Sequence, residues 1–352
     1  MPPITPRDES SRGSRPRPTM KHVAALAGVG LKTVSRVVNG EPNVSEETAA
    51  RVSWAIAELN YQADLNAGNL KRANGRTMSI GLALGSVANP FAGAIHRAIE
   101  STAWERGTTV FAASIEDDPR KEQAVITAFL RRRVDGLILT TASPDHAYLA
   151  PEVARGTPVV FIDREPVGVS ADAVVSENAS GAALATRHLL NRGHRRVAYI
   201  GDRSDIQTAR ERLRGFSEEL ARAGIPAGDV PVVPDQHTIE QAEAAVGALL
   251  SGPARPTAIF TSQNLVTIGA VRALRTLGLH RDVALIGFDD FPLADLLEPG
   301  VTVVAQNPER LGLVAAERIF SRIDGDEDPA RTFTIPTQLI ERGSGEIPPR
   351  ES

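Results

Sequence analysis

The stretch TMKHVAALAGVGLKTVSRVVN, at residues 19–39, most constrains what this chain of 352 residues can fold into. It predicts two short helices, 20–27 and 31–39, joined by a turn at Gly28-Val29-Gly30. Apolar residues at helical spacing give each helix one side that can be buried. The apolar residues are Val23, Leu26, Val34, Val37 and Val38.

The other side of the second helix carries a small mixed patch, Leu31, Lys32, Thr33, Ser35 and Arg36. Such a patch is suited to the major groove of DNA, although a plain helical hairpin within a larger core is the alternative interpretation. Residues 45–60 predict a third helix with Ser45 as its N-cap and two glutamates in its first turn. Its apolar residues would pack on the first two helices and complete a three-helix module; they are Val52, Ala55, Ile56 and Leu59.

Four motifs in this region resemble the lactose/galactose repressor family of bacterial transcription regulators. They are T-M-K-x-V-A-x-x-A-G-V, T-V-S-R-V-x-N-G, V-S-x-x-T and E-L-x-Y, and the resemblance continues to about residue 343. It implies a homodimeric repressor that binds a pseudo-palindromic double-stranded DNA operator. Its affinity for the operator would be controlled by a small molecule, by default a sugar.

The resemblance also assigns roles in the DNA-binding module, at residues 19–62. Leu31, Lys32 and Arg36 match positions that reach base edges, where an arginine can pair with guanine through two hydrogen bonds. The positions that match contacts to the DNA backbone are Thr19, Thr33, Ser35, Asn39 and Ser45. His22 replaces the family's acidic residue at the third helical position, so we expect the reciprocal capping box with Thr19 to be lost.

A hinge is expected at residues 63–76. Leu70 occupies the place of the leucine that wedges into the minor groove in this family. Gly68 replaces the usual arginine and costs about 1 kcal/mol of helix stability relative to alanine. We therefore expect this hinge to be more disordered away from DNA, and Gly68→Ala to tighten operator binding. A plain flexible linker with Leu70 idle is the alternative.

Charge divides the chain into a basic head and an acidic body. Residues 1–76 hold 11 lysines and arginines against 7 acidic residues, whereas the whole chain has a net charge of −4. This contrast suits a DNA-binding module joined to a domain with another task. Residues 1–18, rich in Pro, Arg and Ser, predict a disordered tail rather than a secretory signal. The absence of cysteine and of any long apolar run predicts a cytoplasmic protein without a membrane partner. Its DNA-binding module would place it at the nucleoid.

The remainder, 77–345, alternates apolar runs with amphipathic helices, which predicts two parallel sheets covered on both faces. The runs are 79–84, 109–114, 136–140, 158–162, 173–175, 196–201, 230–233, 258–261, 284–288 and 301–305. This α/β pattern resembles the two-subdomain periplasmic sugar-binding fold. The resemblance implies crossings near Ser176, Gln306 and Phe333, with an N-subdomain at 77–175 and 307–333 and a C-subdomain at 176–306 and 334–345.

A ligand is expected in the cleft between the subdomains, at the carboxyl ends of the strands. By resemblance, Phe91 of N-P-F forms an apolar wall, and Asp163-Arg164, Arg212 and Asp289 hold the ligand. His237 stands in for a stacking aromatic, and Gln263-Asn264 replaces the family's Asn-Asp. Carboxylate, amide and guanidinium groups together satisfy hydroxyls, which both donate and accept. The alternative is that Arg212 and Asp289 form only a structural salt bridge.

Other classes of protein are disfavoured. The chain shows no dinucleotide, phosphate-loop or nucleophile-elbow motif, and its seven histidines lack metal-ligand spacing. No cofactor, metal or catalytic residue is therefore expected. A fused sugar-processing enzyme and a DNA-binding protein with a non-sensing cleft remain alternatives. The dimer surface is expected to include the helix at 91–104, and the C-terminus lacks the leucine heptads of a coiled coil.

Overall fold

The computed structural model describes residues 18–38, 41–61, 76–253 and 255–350. These residues form two compact units, one ending at Thr77 and one beginning at Met78. Several sequence predictions concern residues outside the described ranges. These are the tail at 1–17, Asn39, and hinge residues 63–75 with Gly68 and Leu70. Every helix in the described part of the chain is too short or too polar to cross a lipid bilayer.

In its described residues, 18–38, 41–61 and 76–77, the first unit contains three helices, α1 (Met20–Ala27), α2 (Leu31–Val38) and α3 (Glu46–Glu58). Gly28 adopts a φ of 67° at the end of α1, a left-handed conformation that glycine enters without steric cost. Ser45 caps α3 by accepting a hydrogen bond from the Thr48 amide, 3.4 Å away, as predicted. The core of the unit is formed by side chains from all three helices, chiefly Val23, Val34, Val52 and Ala55.

Two details of this unit differ from the sequence prediction. The capping box was expected to be lost, but His22 takes over half of it, since its ring Nδ1 accepts a hydrogen bond from the Thr19 amide at 3.1 Å. A neutral imidazole offers such an acceptor as a carboxylate does. Leu26 was assigned to the buried side of α1, but it is 40% exposed because the core of the unit is built on Val23 and Ala27 instead.

The second unit begins with a six-stranded parallel sheet in the order β11-β5-β4-β3-β1-β2. Apolar residues on both faces of the central strands explain their continuous burial. Helices cover both faces and build two hydrophobic cores. The strands are β1 (Ser79–Leu84), β2 (Thr109–Ser114), β3 (Gly136–Leu139), β4 (Val159–Ile162), β5 (Asp172–Ser176) and β11 (Thr332–Ile335). The helices are α4 (Pro90–Glu105), α5 (Pro119–Arg131), α6 (Ala150–Ala154) and α11 (Pro308–Ile323).

A second six-stranded sheet follows in the order β12-β10-β9-β8-β6-β7, in which only β12 is antiparallel to its neighbour. It too has a hydrophobic core on each face. Its strands are β6 (Val197–Ile200), β7 (Val232–Val233), β8 (Ala258–Thr261), β9 (Ala284–Phe288), β10 (Thr302–Ala305) and β12 (Gln338–Ile340). Its helices are α7 (Asn178–Asn191), α8 (Gln207–Arg222), α9 (Ile239–Ser251) and α10 (Asn264–Thr276).

The chain passes between the sheets three times. The first two crossings follow β5 and β10, which end at Ser176 and Ala305. The third lies at residues 336–337, and the predicted position, Phe333, is inside β11. The predicted subdomain boundary at 333/334 is therefore too early, because β11 completes its pairing with β5 through Ile335 before the chain leaves the first sheet.

Candidate functional site

Helix α2 presents the predicted DNA-reading residues on one surface. Leu31 and Lys32 are exposed, whereas Thr33, Ser35 and Arg36 are half-buried. The Arg36 Nε lies 3.9 Å from the Glu41 carboxylate, and both side chains are about half exposed. An exposed pair of this kind contributes little, so the guanidinium can leave it for a base edge. Thr19 and Ser45, assigned to the DNA backbone, are also exposed, although the Ser45 hydroxyl caps α3.

In the second unit, a cleft of about 240 Å³ lies between the carboxyl ends of the strands of the two sheets. All seven predicted effector residues line this cleft: Phe91, Asp163, Arg164, Arg212, His237, Gln263 and Asp289. They come from loops that are far apart in sequence. The two sheets bring them together because parallel strands end at a common edge.

Arg212, on α8, is buried and held on several sides. Its Nε donates to Asn178 Oδ1 at 2.9 Å and its Nη1 donates to the Ser262 carbonyl at 2.6 Å. Its guanidinium carbon lies 3.9 Å from the centre of the Phe288 ring. The Asp289 carboxylate is 3.8 Å from Nη1, beyond a direct hydrogen bond. The guanidinium is thus fixed in place without being saturated by Asp289.

Asp163 and Asp289 occupy equivalent places in the two sheets. Each directly follows a buried strand, and each has a left-handed backbone, with φ of 71° and 67°. Each amide donates across to the next strand of its own sheet at 2.9 Å, to Val174 and to Val304. A positive φ is uncommon for residues other than glycine, although aspartate adopts it more readily than most, and such residues cluster at functional sites. The turn aims both carboxylates into the cleft.

The carboxylates of Asp163 and Asp289 differ in their hydrogen-bond partners. Asp289 Oδ1 accepts a 2.5 Å hydrogen bond from the Gln306 amide. Among the described residues, Asp163 Oδ1 is buried without a hydrogen-bond partner. Burial away from water raises the pKa of Asp163 to about 6, although Arg164 and Arg212 oppose the shift. A ligand hydroxyl would supply the hydrogen bond that Asp163 lacks.

Arg164 and His237 each meet a carboxylate from another loop. Arg164 Nη2 lies 2.8 Å from Asp117 Oδ1, and its Nη1 donates to the Thr141 carbonyl. His237 Nδ1 lies 2.7 Å from Asp202 Oδ1, and its Nε2 lies 4.0 Å from Asp117. The hydrogen bond with Asp202 raises the pKa of His237, so the charged imidazolium is favoured there.

The amides at the start of α10 connect the two halves of the cleft. Gln263 Oε1 accepts from the Leu265 amide, and its Nε2 donates to the His237 carbonyl at 3.3 Å. Asn264 exchanges two hydrogen bonds with Asn89, whose own Oδ1 also caps α4. Gln263 therefore lines the cleft, while the buried Asn264 connects its two walls through Asn89.

The sequence predictions missed several residues of the cleft, notably Asp117, Asp202 and Gln306. Asp117 and Asp202 each follow a strand by two or three residues, β2 and β6 respectively. The rule that ligands bind at the carboxyl ends of strands could have found both. Gln306 lies at a crossing between the subdomains, and the sequence carries no local signal of its bond to Asp289.

A group of possible metal ligands lies outside the cleft. Within the described residues, His188, Glu341 and Glu346 bring ligand atoms within 4.8 Å of one another. Arg192 enters this group, with its Nε 2.9 Å from the His188 ring and its Nη2 3.0 Å from Glu341. A guanidinium inside the group opposes a second cation, so the arrangement is a salt-bridge network.

Two family models match different parts of the chain, one near its N-terminus and one in the second unit. Residues 19–64 match the family described as bacterial regulatory proteins, lacI family, and residues 186–345 match the periplasmic binding protein-like domain. The ribose operon repressor of Escherichia coli (strain K12) is 34% identical over 333 residues, covering 93% of this chain and 99% of that protein. The chain belongs to the LacI family.

Two solved structures extend this LacI-family relationship to three dimensions. The Lac repressor dimer bound to operator and the anti-inducer ONPF matches with a TM-score of 0.81 at 27% identity, covering 94% of this chain and 99% of that chain. The transcriptional regulator CelR–cellobiose complex matches with a TM-score of 0.68 at 32% identity, covering 94% and 100%. This LacI-family chain is a DNA-binding transcriptional repressor that is controlled by a small ligand.

Proposed function

We propose that the cleft binds a monosaccharide and that this ligand controls the affinity of α2 for an operator. The observation that carries the proposal is the equivalent placement of Asp163 and Asp289, whose left-handed turns aim two carboxylates into one cleft. Paired carboxylates and a fixed guanidinium, Arg212, satisfy hydroxyls that both donate and accept. A relative is named for the ribose operon and a solved neighbour holds cellobiose, which favours a sugar.

The size of the cleft favours a small sugar. Its volume of about 240 Å³ falls below the range of roughly 300–1,000 Å³ that drug-sized ligands occupy. Phe91 would supply an apolar surface for the ring, and His237 and Gln263 would face the hydroxyls from the C-subdomain. Since the cleft joins two subdomains, a ligand with unequal affinity for their open and closed arrangements changes the equilibrium between them.

On DNA, Leu31, Lys32 and Arg36 would read base edges, while Thr19, Thr33, Ser35 and Ser45 would contact phosphates. From the sequence motifs alone, we propose that Asn39 contacts the DNA backbone and that Leu70 enters the minor groove. The hinge at 63–76 would couple sugar binding in the cleft to operator binding by α2. The protein would act at the nucleoid. The proposed dimer surface includes α4, where Trp104 is 82% exposed at the C-terminal end of the helix.

The proposal is tested with purified full-length protein. Operator sequences are first selected from random duplexes, and binding to the selected duplex is then measured with D-ribose, D-xylose, D-xylulose and D-galactose. At least one sugar is expected to change the operator Kd by about 5- to 150-fold, the usual range of allosteric coupling. Turnover of any of the sugars would favour the fused enzyme instead. Sequence-specific binding that no compound alters would favour a non-sensing cleft.

A further inference from the structure

The cleft has an excess of negative charge. The described residues that line it include five carboxylates, two guanidiniums and one imidazole. The charge of the lining is therefore −3 with His237 neutral and −2 with His237 protonated. No lysine lies among these residues. The carboxylates are Glu116, Asp117, Asp163, Asp202 and Asp289, and the cations are Arg164, Arg212 and His237.

Each of these cations already has a carboxylate within 4.0 Å. Arg164 pairs with Asp117 at 2.8 Å and His237 pairs with Asp202 at 2.7 Å. The Arg212 Nη1 lies 3.8 Å from the Asp289 carboxylate. Its Nε donates to Asn178 Oδ1, and its Nη1 donates to the Ser262 carbonyl. A phosphate or carboxylate that pairs with Arg164 or His237 would have to displace Asp117 or Asp202 and leave that aspartate without its cation, which is costly.

Two helix N-termini at the cleft are also occupied. The first free amide of α4, at Phe91, donates to Asn89 Oδ1 at 3.0 Å. At α10 the Leu265 amide donates to Gln263 Oε1 and Asn264 Oδ1. These are the amides that would otherwise bind an anion.

We propose that this cleft selects uncharged polyols and rejects their phosphorylated or carboxylated forms, with Asp117 as the residue that enforces the selection. This inference rests on the proposed sugar-binding function. The Asp117 carboxylate is the nearest one to the Arg164 guanidinium, 2.8 Å from Nη2. It also lies 4.0 Å from the His237 Nε2 across the cleft. Removing its charge leaves the Arg164 guanidinium without its nearest carboxylate, so that this cation becomes available to an anion, whereas His237 keeps Asp202 as its partner.

The selection is measured by isothermal titration calorimetry on the full-length wild-type protein, Asp117→Asn and Asp118→Asn. Asp118 is the matched control because it is the neighbouring exposed aspartate and asparagine also caps a helix. The probes are neutral and anionic pairs: D-ribose with D-ribose 5-phosphate, D-glucose with D-gluconate, and adenosine with adenosine monophosphate. The wild type is expected to bind a neutral member at least about tenfold more tightly than its anionic partner.

Asp117→Asn is expected to reduce that preference by about tenfold or more, whereas Asp118→Asn leaves it unchanged. An anionic compound that binds the wild type as tightly as its neutral partner overturns the inference. So does an unchanged preference in Asp117→Asn when circular dichroism shows that the variant is folded. A panel in which no compound binds counts against both the sugar proposal and the selection.

The same panel separates the two proposals. If adenosine binds in preference to adenosine monophosphate and no sugar binds, the sugar proposal fails and the charge selection stands. If D-ribose 5-phosphate binds more tightly than D-ribose, the sugar proposal stands and the charge selection fails.

Discussion

Asn89 and Asn264 donate to each other's side-chain oxygen across the cleft, at 3.2 and 2.8 Å. Asn89 precedes α4 in the N-subdomain, and Asn264 begins α10 in the C-subdomain. Asn264 is buried. Because both hydrogen bonds span the two subdomains, they favour the closed arrangement of the cleft even before a ligand is considered.

Replacing Asn264 by alanine is therefore expected to loosen the cleft. The variant loses both cross-cleft bonds, and each buried neutral hydrogen bond contributes about 1 kcal/mol. We expect effector affinity to fall by about 5- to 30-fold, since the ligand must then close the cleft without this help. Small-angle scattering should show a larger radius of gyration without ligand.

The control for this change is Asn191→Ala, at the exposed end of α7. It removes an asparagine that takes no part in the cleft and should leave both measurements unaltered. An Asn264→Ala protein with wild-type affinity and radius would show that the amide pair does not influence closure.

The protonation of Asp163 makes the stability of the fold depend on pH. Its pKa is raised from 3.8 to about 6, so the folded protein binds this proton more tightly than the unfolded chain does. Between those pH values stability therefore increases as the pH falls, and above pH 6 the ionised carboxylate destabilises the fold by at most about 3 kcal/mol. An asparagine side chain at this position resembles the protonated acid and escapes this cost.

Asp163→Asn is accordingly expected to be more stable than the wild type at about pH 7.5, by up to about 3 kcal/mol, and equal to it near about pH 4. Urea unfolding at both pH values measures the difference. The exposed Asp118→Asn serves as the reference for loss of one surface charge. A destabilised Asp163→Asn at the higher pH would mean that pairing with Arg164 outweighs the cost of burial.

The sequence predicted the body of the fold because buried parallel strands are continuous apolar runs that need no partner to be recognised. It missed β11 and β12, which are short edge strands with partly exposed residues, identifiable only by the strands they pair with. Asp163 and Asp289 were predictable because each directly follows such a run. The Asp117–Arg164 pair was not, since it depends on two loops meeting in space.

Gly215 sets the distance between α7 and α8. A Cβ at this position would lie 2.0 Å from the Ala179 carbonyl oxygen, far inside contact distance. Gly215→Ala must therefore push α8 away from α7, where Asn178 accepts from Arg212. Overpacking of this kind costs about 1–3 kcal/mol, and we expect a weaker effector affinity as the guanidinium moves from its place.

Gly247→Ala, in the middle of α9, provides the opposite case. A Cβ there meets nothing within 4 Å, so the substitution should stabilise the protein by about 0.5–1 kcal/mol through helix propensity alone. Chemical unfolding should show that Gly215→Ala lowers stability and that Gly247→Ala raises it. Sugar titration should show a weaker effector affinity for Gly215→Ala. Equal stability for both would show that the α7–α8 contact is free to relax.

Arg36 is expected to carry much of the sequence specificity on DNA. It lies on α2 with its guanidinium about half exposed and only loosely paired with Glu41 at 3.9 Å. Removal of one bidentate base contact costs about 1–3 kcal/mol in discrimination. Arg36→Ala should therefore lower affinity for the selected operator by roughly 5- to 150-fold while binding to random duplex changes far less.

Arg51→Ala, on the exposed side of α3, removes the same charge without touching α2. Titrating both variants against operator and random duplex at several salt concentrations separates the two contributions. A lost phosphate contact lowers the salt dependence and weakens both duplexes alike, whereas a lost base contact weakens only the operator. If Arg36→Ala keeps the wild-type ratio of the two affinities, Arg36 reads no base, and the specificity of α2 must come from Leu31 and Lys32.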